Sequence, residues 1–241
     1  MVNEFTSLLL EGLFPNHCCL CGLRSHRDVP LCPGCERDLL PNSCCCQRCA
    51  VPLPPGSGGP LLCGGCLQSP PAFDRVIAPW CYSESMAHLI HRWKYRGETR
   101  LTPLLAHLWL REVPAHDTVD LLVPVPLHWR KLWRRGFNQS DLLCRQLCRV
   151  RPEIASDGYR GNLLRRARPT AAQSGMNATQ RRRNLQGAFT TRGACATLRV
   201  AIVDDVLTTG ATADAVATAL RAAGAAAVDV WCLARTPPPG G

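Results

Sequence analysis

The sequence predicts an α/β fold in which a parallel sheet is flanked by helices and preceded by a small cysteine-rich module. Apolar runs at 119–125 and 198–203 are typical of parallel strands buried on both faces. Apolar residues at i, i+3, i+4 and i+7, as between Ser85 and Trp93, are typical of helices. Four C-x-x-C pairs near the N-terminus indicate a metal-binding module. A chain of 241 residues is long enough for one α/β domain and one smaller module.

The cysteine pairs have the spacing of zinc ligands. They are Cys18/Cys21, Cys32/Cys35, Cys46/Cys49 and Cys63/Cys66. Two intervening residues let one tight turn present both sulfurs to a tetrahedral ion, and two such turns complete a four-cysteine site. We therefore expect two structural zinc ions. Sequential pairing of the knuckles gives two stacked ribbons, but spacing alone leaves crossed pairing open.

The extent of this module follows from its composition. Cys45 could replace Cys46 in a distorted site, although the regular spacing favours Cys46. Few large apolar residues accompany the cysteines, so we expect the metal to supply much of the folding free energy. Ser69-Pro70-Pro71 marks its end. The predicted division is a double zinc-ribbon module at 1–70, an α/β domain at 71–236 and a disordered tail at 237–241.

The high cysteine content also bears on the compartment. The chain has 16 Cys, and its first residues include early acids but no basic segment. Their apolar run is too short for a secretory signal or a membrane span. We therefore expect a cytoplasmic protein without membrane insertion, in which thiols stay reduced and bind metal.

The charge is unevenly distributed. The formal net charge is +10, from 28 Lys and Arg against 18 Asp and Glu. Residues 1–70 contain four Arg and five acids, a net of −1, whereas residues 128–183 contain fourteen Lys or Arg and three acids, a net of +11. One segment thus carries the excess and suits a polyanion such as nucleic acid or a diphosphate.

The second domain is expected to alternate strands and helices. The predicted strands are 73–82, 119–125, the run before Asp204, and 226–233. The predicted helices are 85–93, 101–111, one beginning near 138–141, and 212–223, which ends at Gly224. Lys94, Arg96 and Gly97 lie at the end of the first helix. They either hold an anion or simply complement the helix dipole.

A basic segment follows the strand at 119–125. Four cations occur within residues 130–135, and Arg134, Arg135, Gly136 and Phe137 lead into the next helix. We expect a turn here that suits a diphosphate. With Trp129 and Trp133 as stacking platforms, the same segment suits a nucleic-acid backbone. A solvated basic helix face is the third interpretation.

Residues 151–197 are polar, basic and poor in apolar periodicity. The arginines form two groups, Arg165, Arg166 and Arg168 at one end and Arg181, Arg182 and Arg183 at the other. Long segments of this kind are often lids over a site. Cations on a lid would neutralise a diphosphate and exclude water.

The stretch AIVDDVLTTGAT at 201–212 is the strongest candidate site. A strand leads into the acid pair Asp204 and Asp205, then into a turn of small residues that opens a helix. Ligands of parallel α/β sheets bind beyond the carboxyl ends of the strands. Carboxylates accept hydrogen bonds from vicinal hydroxyls, and the amides at a helix N-terminus bind phosphate. The pattern therefore indicates a site for a phosphorylated polyol. Its simpler alternative is two solvated Asp at a sheet edge.

This stretch closely resembles the phosphoribosyl diphosphate (PRPP) motif of type I phosphoribosyltransferases. The whole chain resembles the ComF family (competence protein ComF and GntX-like proteins). The matching stretches are the cysteine knuckles, WKYRG, the VPVP strand with RRGFNQSDLL, T-A-A-Q followed by R-R-R-N-L, IVDDVLTTGAT and AAVDVWCLART. The resemblance implies a type I phosphoribosyltransferase-like sheet preceded by a zinc-ribbon module, and a link to competence, DNA uptake and use of external DNA.

The resemblance also implies roles for individual residues. Asp204 and Asp205 would be the catalytic acids that hold the ribose hydroxyls. The residues facing the 5′-phosphate would be Thr208, Thr209, Gly210, Ala211 and Thr212. The diphosphate would face Arg134, Arg135, Gly136 and Phe137, and the lid would be formed around Arg166, Arg168, Thr170 and Gln173.

Three functions follow as hypotheses. The first is a Mg²⁺-dependent transferase that moves a phosphoribosyl group from PRPP to an unidentified acceptor. The second is a single-stranded DNA-binding accessory protein, working with the DNA-uptake machinery, for which PRPP is a regulatory ligand. The third is a scaffold with a vestigial site. A receiver-like signalling domain also has adjacent acids, but they follow an early strand, whereas one predicted strand remains after Asp205.

Overall fold

The chain folds as a parallel α/β sheet with a cysteine-rich module packed against it. In the computed structural model, the described residues are 16–54, 61–167, 185 and 187–238. The strands are β1 (Arg75–Ile77), β2 (Trp80–Cys81), β3 (Leu121–Pro124), β4 (Leu164–Arg166), β5 (Phe189–Thr191), β6 (Arg199–Leu207) and β7 (Ala227–Arg235). Five of them form one parallel sheet in the order β1-β7-β6-β3, with β2 also paired to β7. The predicted α/β fold class is confirmed.

Helices cover both faces of this sheet. They are α1 (Pro33–Arg37), α2 (Gly64–Gln68), α3 (Glu84–Tyr95), α4 (Thr102–Glu112), α5 (Trp129–Arg135), α6 (Gln139–Val150) and α7 (Ala211–Ala222). Short 3₁₀ turns lie at Thr99–Leu101 and Pro152–Ile154. Among the described residues, no helix is long and apolar enough to cross a membrane.

Alternate residues of the strands supply two cores. On one face, Val203 and Trp231 pack with α3, α4 and α6, including Trp93 and Trp109. On the other face, Ile202 and Val230 pack with α7. Because both faces are covered, the central strands are mostly apolar, and the acid pair lies towards the carboxyl end of β6.

The cysteine module shares these cores. Cys18, Leu31 and Leu39 are buried with α3 and α4. Ala50, in the third knuckle, is buried in the other core with Leu207. The module therefore packs directly on the sheet, and the division at residue 70 stays a prediction.

The strands differ in length, and this difference positions the candidate site. The ladder between β3 and β6 ends where Pro124 pairs with Val203. Strand β6 continues to Leu207, paired with β7 only. Asp204 and Asp205 therefore extend past the carboxyl end of β3, where α6 approaches.

Three predictions about local structure are corrected. The single strand predicted at 73–82 is two strands, β1 and β2, separated by Ala78 and Pro79. The basic segment predicted as a turn is helix α5, and only Gly136 and Phe137 lie beyond it. The segment at 151–197 is not without structure, because β4 and β5 form an antiparallel pair in it.

Candidate functional site

The acid pair is held by side chains from two helices. Asp205 is 4% exposed, and its Oδ2 accepts hydrogen bonds from Lys94 Nζ at 2.6 Å and Gln139 Nε2 at 2.7 Å. Ser140 Oγ donates to Asp204 Oδ1 at 3.3 Å. Lys94 lies near the end of α3, and Gln139 and Ser140 form the first turn of α6. The two acids thus face a wall built from both helices.

The Lys94–Asp205 ion pair dominates the electrostatics of this wall. Desolvation would lower the pKa of Lys94, but the charge and hydrogen bond of Asp205 outweigh it and raise that pKa. Lys94 therefore stays charged across the neutral range. Lys94 lies in the last turn of α3, as the helix-dipole interpretation expects, and its ammonium also contacts Asp205, which neither interpretation foresaw.

For Asp204, desolvation outweighs the interactions that favour the charged form. Its side chain lacks a direct cationic partner among the described residues. Desolvation, followed by the negative charge of Asp205, raises the pKa of Asp204 to about 7. A buried carboxyl group with a raised pKa beside a second carboxyl group is typical of functional sites.

The turn after β6 is open to solvent. Thr208 and Thr209 are exposed, and Gly210 has φ of +78°, which a glycine adopts without strain. Helix α7 begins there, and no side chain of the described residues caps its Gly210 position. Thr209 Oγ1 accepts weakly from the N–H of Ala211 at 3.4 Å. Amides at such a helix start are available to an anion.

Helix α5 places cations beside the acids. None of its residues is buried, and Gly136 ends it with φ of +83°. Arg135 donates to Gln139 Oε1 and stacks on Tyr95, with its Cζ 5.2 Å from the ring centroid. Arg135 therefore contacts a side chain that itself holds Asp205.

The cations of this region lie close enough to act on one another. The pKa of Lys131 lies below its usual value, through partial desolvation first and then through the charges of four cations, Arg166, Arg135, Arg134 and Lys94. A group of cations that disfavours a further positive charge favours an anion in its place.

The predicted lid is described only in part. Arg166 belongs to β4, and its guanidinium lies 5.6 Å from the centroid of Phe189. Arg168, Thr170 and Gln173 lie outside the described residues, as do Arg181 to Arg183. The lid therefore stays a prediction.

The cysteine knuckles form two separate four-sulfur clusters. Within each cluster, all four Sγ atoms lie within 4.8 Å of one another. The clusters are Cys18, Cys21, Cys32 and Cys35, hereafter the first cluster, and Cys46, Cys49, Cys63 and Cys66, the second cluster. The pairing of knuckles is sequential, and Cys45 is not part of the second cluster.

The geometry of both clusters fits zinc. In each cluster one cysteine has a lowered pKa, while burial raises the pKa of another, Cys35 or Cys66. Cys21 and Cys32 Sγ are 3.8 Å apart, and Cys49 and Cys63 Sγ are 3.6 Å apart. A tetrahedral ion with Zn–S bonds of about 2.3 Å requires a sulfur separation of about 3.8 Å. Burial raises the pKa of Cys18, but hydrogen bonds from backbone N–H groups outweigh it and lower that pKa to about 6. The same balance lowers the pKa of Cys46 to about 7. Two structural zinc sites are therefore present.

Sequence reasoning missed three residues at the acid pair. Gln139 and Ser140 were placed only near a helix start, and Lys94 was not connected with the acids. Gln139 and Asp205 are 66 residues apart in the sequence. The burial of Gln139 and Ser140, which requires polar partners, is visible only in the structure.

Known proteins match most of the chain. The family described as Double zinc ribbon domain matches residues 9–67. The DNA utilization protein YhgH of Salmonella typhi is 37% identical over 232 residues, which cover 92% of this chain and 98% of that protein. Competence protein F of Haemophilus influenzae is 33% identical over 216 residues, 85% of this chain and 90% of that protein.

A solved structure, described as that of the allosteric regulatory enzyme of purine biosynthesis, has a TM-score of 0.35 and 18% identity. It covers 56% of this chain and 25% of that one. The family assignment rests on the sequence relatives, which match this chain over nearly their whole length. The chain belongs to the ComF family, the family of competence protein F and the DNA utilization proteins.

Proposed function

We propose that this protein binds PRPP with Mg²⁺ at the carboxyl end of β6 and transfers its phosphoribosyl group to an acceptor. The observation that carries the proposal is the acid pair followed by an exposed turn and a helix start, with cations on one side. Asp204 and Asp205 accept hydrogen bonds from the ribose hydroxyls. The amides of residues 208–212 bind the 5′-phosphate.

The chain's residues act mainly through charge. Arg134 and Arg135, at the end of α5 beside the acids, stabilise the departing diphosphate. Lys94 holds the Asp205 carboxylate in place through their ion pair. Mg²⁺ bound with PRPP supplies further neutralisation of the diphosphate as positive charge develops on the sugar. No covalent nucleophile is required.

The names of its relatives suggest the setting. Proteins described as DNA utilization protein and as competence protein are similar to this chain over most of its length. We propose a cytoplasmic role in DNA uptake or in use of external DNA, with the phosphoribosyl acceptor drawn from that process.

Calorimetric titration with PRPP and Mg²⁺ tests this proposal. We expect saturable binding at one site per chain, abolished in Asp204→Asn/Asp205→Asn. Glu153→Gln, which changes an exposed acid after α6, is the matched control and should bind as the wild type does. Diphosphate release in the presence of single-stranded DNA or free bases then tests turnover. Absence of PRPP binding by the folded, zinc-loaded wild type would contradict the proposal.

A second candidate function is binding of single-stranded DNA along α5. Trp129 is 66% exposed and Trp133 is 85% exposed, and they alternate with cations on a helix that has no buried residue. Arg130 stacks on Trp129, with its Cζ 5.2 Å from the ring centroid. Exposed aromatic rings beside cations are typical of single-strand binding.

Salt dependence and charge reversal test whether the cations of α5 contact the strand. Affinity for a fluorescent oligonucleotide should fall with increasing salt and should weaken in Arg134→Glu/Arg135→Glu. Unchanged affinity in that variant, or no dependence on salt, would exclude α5 as the DNA-binding surface. Both functions can coexist, since the diphosphate and an acceptor strand would use one basic wall.

A further inference from the structure

Arg235, the last residue of β7, connects the second cluster with the turn after β6. It is 7% exposed. Its Nε donates to the carbonyl of Cys49 at 3.0 Å. Its Nη1 donates to the carbonyl of Leu207 at 2.9 Å and to that of Thr208. One guanidinium therefore spans a zinc-ligand residue and the first residue of the phosphate turn.

Independent contacts hold the knuckle at this place. Asn42 Nδ2 donates to the carbonyl of Ala50 at 2.8 Å and to that of Ala78 at 3.1 Å. Ala50 is 1% exposed and belongs to the same core as Phe73 and Leu207. The residue after Cys49 is thus fixed against the sheet, directly beside the segment that Arg235 holds.

The bonding of Arg235 is unusual for a buried cation. All its described hydrogen bonds go to backbone carbonyls, including that of Thr236 at 2.9 Å. No carboxylate in the described part of the chain forms an ion pair with it. A buried charge is costly without a partner of opposite charge. Beside the turn at 208–212, that charge favours an anion.

The first cluster has a different attachment. Arg92 donates to the carbonyl of Cys19 and pairs with Glu98 at 2.6 Å. It belongs to α3, and its bonds do not involve the turn after β6. The two clusters are therefore attached to different parts of the α/β domain.

We propose that Arg235 is a positioning residue through which zinc in the second cluster sets the affinity of the phosphate turn. Zinc fixes the Cys49 backbone, Cys49 orients Arg235, and Arg235 holds the Leu207 and Thr208 carbonyls. The amide groups of the turn then point towards the phosphate. This inference rests on the proposed function, because it concerns the same PRPP site.

Substitution of Arg235 in the full-length, zinc-loaded protein tests the inference. In Arg235→Met we expect PRPP–Mg²⁺ affinity to fall by about tenfold or more, as hydrogen bonds from a charged donor are lost. Arg235→Lys keeps the charge without the planar fork and should bind with intermediate affinity. Arg151→Met is the matched control, because Arg151 also donates to carbonyls, those of Leu110, Val113 and Pro114. It should bind as the wild type does.

Zinc release supplies a readout that a general loss of packing would not give. Coupling between two sites is reciprocal in binding free energy, so PRPP should protect one of the two zinc sites, raising its affinity and the chelator concentration needed to empty it. We expect this protection in the wild type and in Arg151→Met, and its loss in Arg235→Met. Cys63→Ser should weaken PRPP binding, whereas Cys21→Ser in the first cluster should weaken it less.

The outcomes are distinguishable. Wild-type affinity in Arg235→Met, or PRPP protection of zinc that persists in that variant, overturns the coupling and leaves the proposed PRPP site intact. Failure of the wild type to bind PRPP contradicts both. If Arg235→Met does not fold, Arg235→Lys is the deciding variant. Wild-type PRPP affinity and wild-type protection of zinc by PRPP in Arg235→Lys would overturn the role of the guanidinium group.

Discussion

The acid pair and helix α5, which lie on two sides of the candidate site, differ in how deeply their charges are buried. At the acid pair, Asp205 is almost fully buried and bonded to Lys94 and Gln139. On α5, no residue is buried, and both tryptophans and all its cations except Arg135 are exposed. Buried charges affect folding stability strongly, whereas exposed charges contribute little to it. Substitutions at the acid pair should therefore change both binding and the free energy of unfolding. Substitutions of exposed residues on α5 should change binding alone.

The largest effect is expected from breaking the buried ion pair. Lys94→Met leaves Asp205 charged without its cation and should lower the free energy of unfolding by about 3 to 5 kcal/mol. Urea unfolding at pH 8 measures this loss. Lys94→Met/Asp205→Asn should recover part of it, because the uncompensated charge is removed. A double variant as unstable as the two single losses added together would contradict the pair's role.

A pH-dependent gain in stability is expected for Asp204→Asn. The raised pKa of Asp204, about 7 against an ordinary value of 3.8, means that its ionisation opposes folding. The protonated form is favoured at low pH, and that advantage is lost as the pH rises from about 4 to about 7. Asparagine avoids the cost, so we expect a higher Tm at pH 8, on the order of 5 °C, and a smaller gain at pH 5.

The same variant should lose PRPP binding. Differential scanning calorimetry at the two pH values and PRPP titration at pH 8 measure both effects. Glu153→Gln is the control for removing an acid. If the stability gain of Asp204→Asn over wild type is smaller at pH 8 than at pH 5, ionisation of Asp204 does not oppose folding.

For the wild type, PRPP affinity should fall as the pH drops below about 7, because Asp204 becomes protonated.

The position of the acid pair could be expected from the sequence, but the side chains that contact it could not. The order of strand, acids and small-residue turn places Asp204 and Asp205 at a sheet edge. The contacts of Asp205 with Lys94 and Gln139 depend on how α3 and α6 pack, which no local pattern specifies. The cysteine clusters were predictable because each knuckle is a local turn, whereas their pairing is tertiary.

Helix α5 was expected only as the third interpretation of its segment, a solvated basic helix face. A helix without a buried face has no amphipathic period to detect. Its caps are visible in hindsight, since His128 Nδ1 accepts from the Arg130 N–H at 3.3 Å and Gly136 ends the helix. Strands β4 and β5 have only three residues each, too few for a periodic signal.

On α5, Trp133→Ala tests binding without a change in stability. Since Trp133 is 85% exposed, its loss should alter the free energy of unfolding by less than about 0.5 kcal/mol. If α5 binds single strands, oligonucleotide affinity should weaken by about 1 to 3 kcal/mol. Val150→Ala, at an exposed apolar residue of α6, is the control for fluorescence anisotropy. A destabilised Trp133→Ala protein would show that α5 packs against something in solution.

The smallest effect is expected for Arg134→Gln. One exposed cation is removed beside the diphosphate position, so PRPP affinity should fall by about threefold to tenfold with Tm unchanged. Titration at low and high salt measures it, and the difference from wild type should shrink as salt screens the charge. Equal affinities at low salt would remove Arg134 from the diphosphate site.

A crystal structure of the zinc-loaded protein with PRPP and Mg²⁺ tests the central claim most directly. The account predicts ribose hydroxyls within about 3 Å of the Asp204 and Asp205 carboxylates, since that is hydrogen-bonding distance. The 5′-phosphate should lie on the amides of the turn at 208–212. PRPP bound along α5 alone, or elsewhere in the molecule with the acid pair uncontacted, would contradict it.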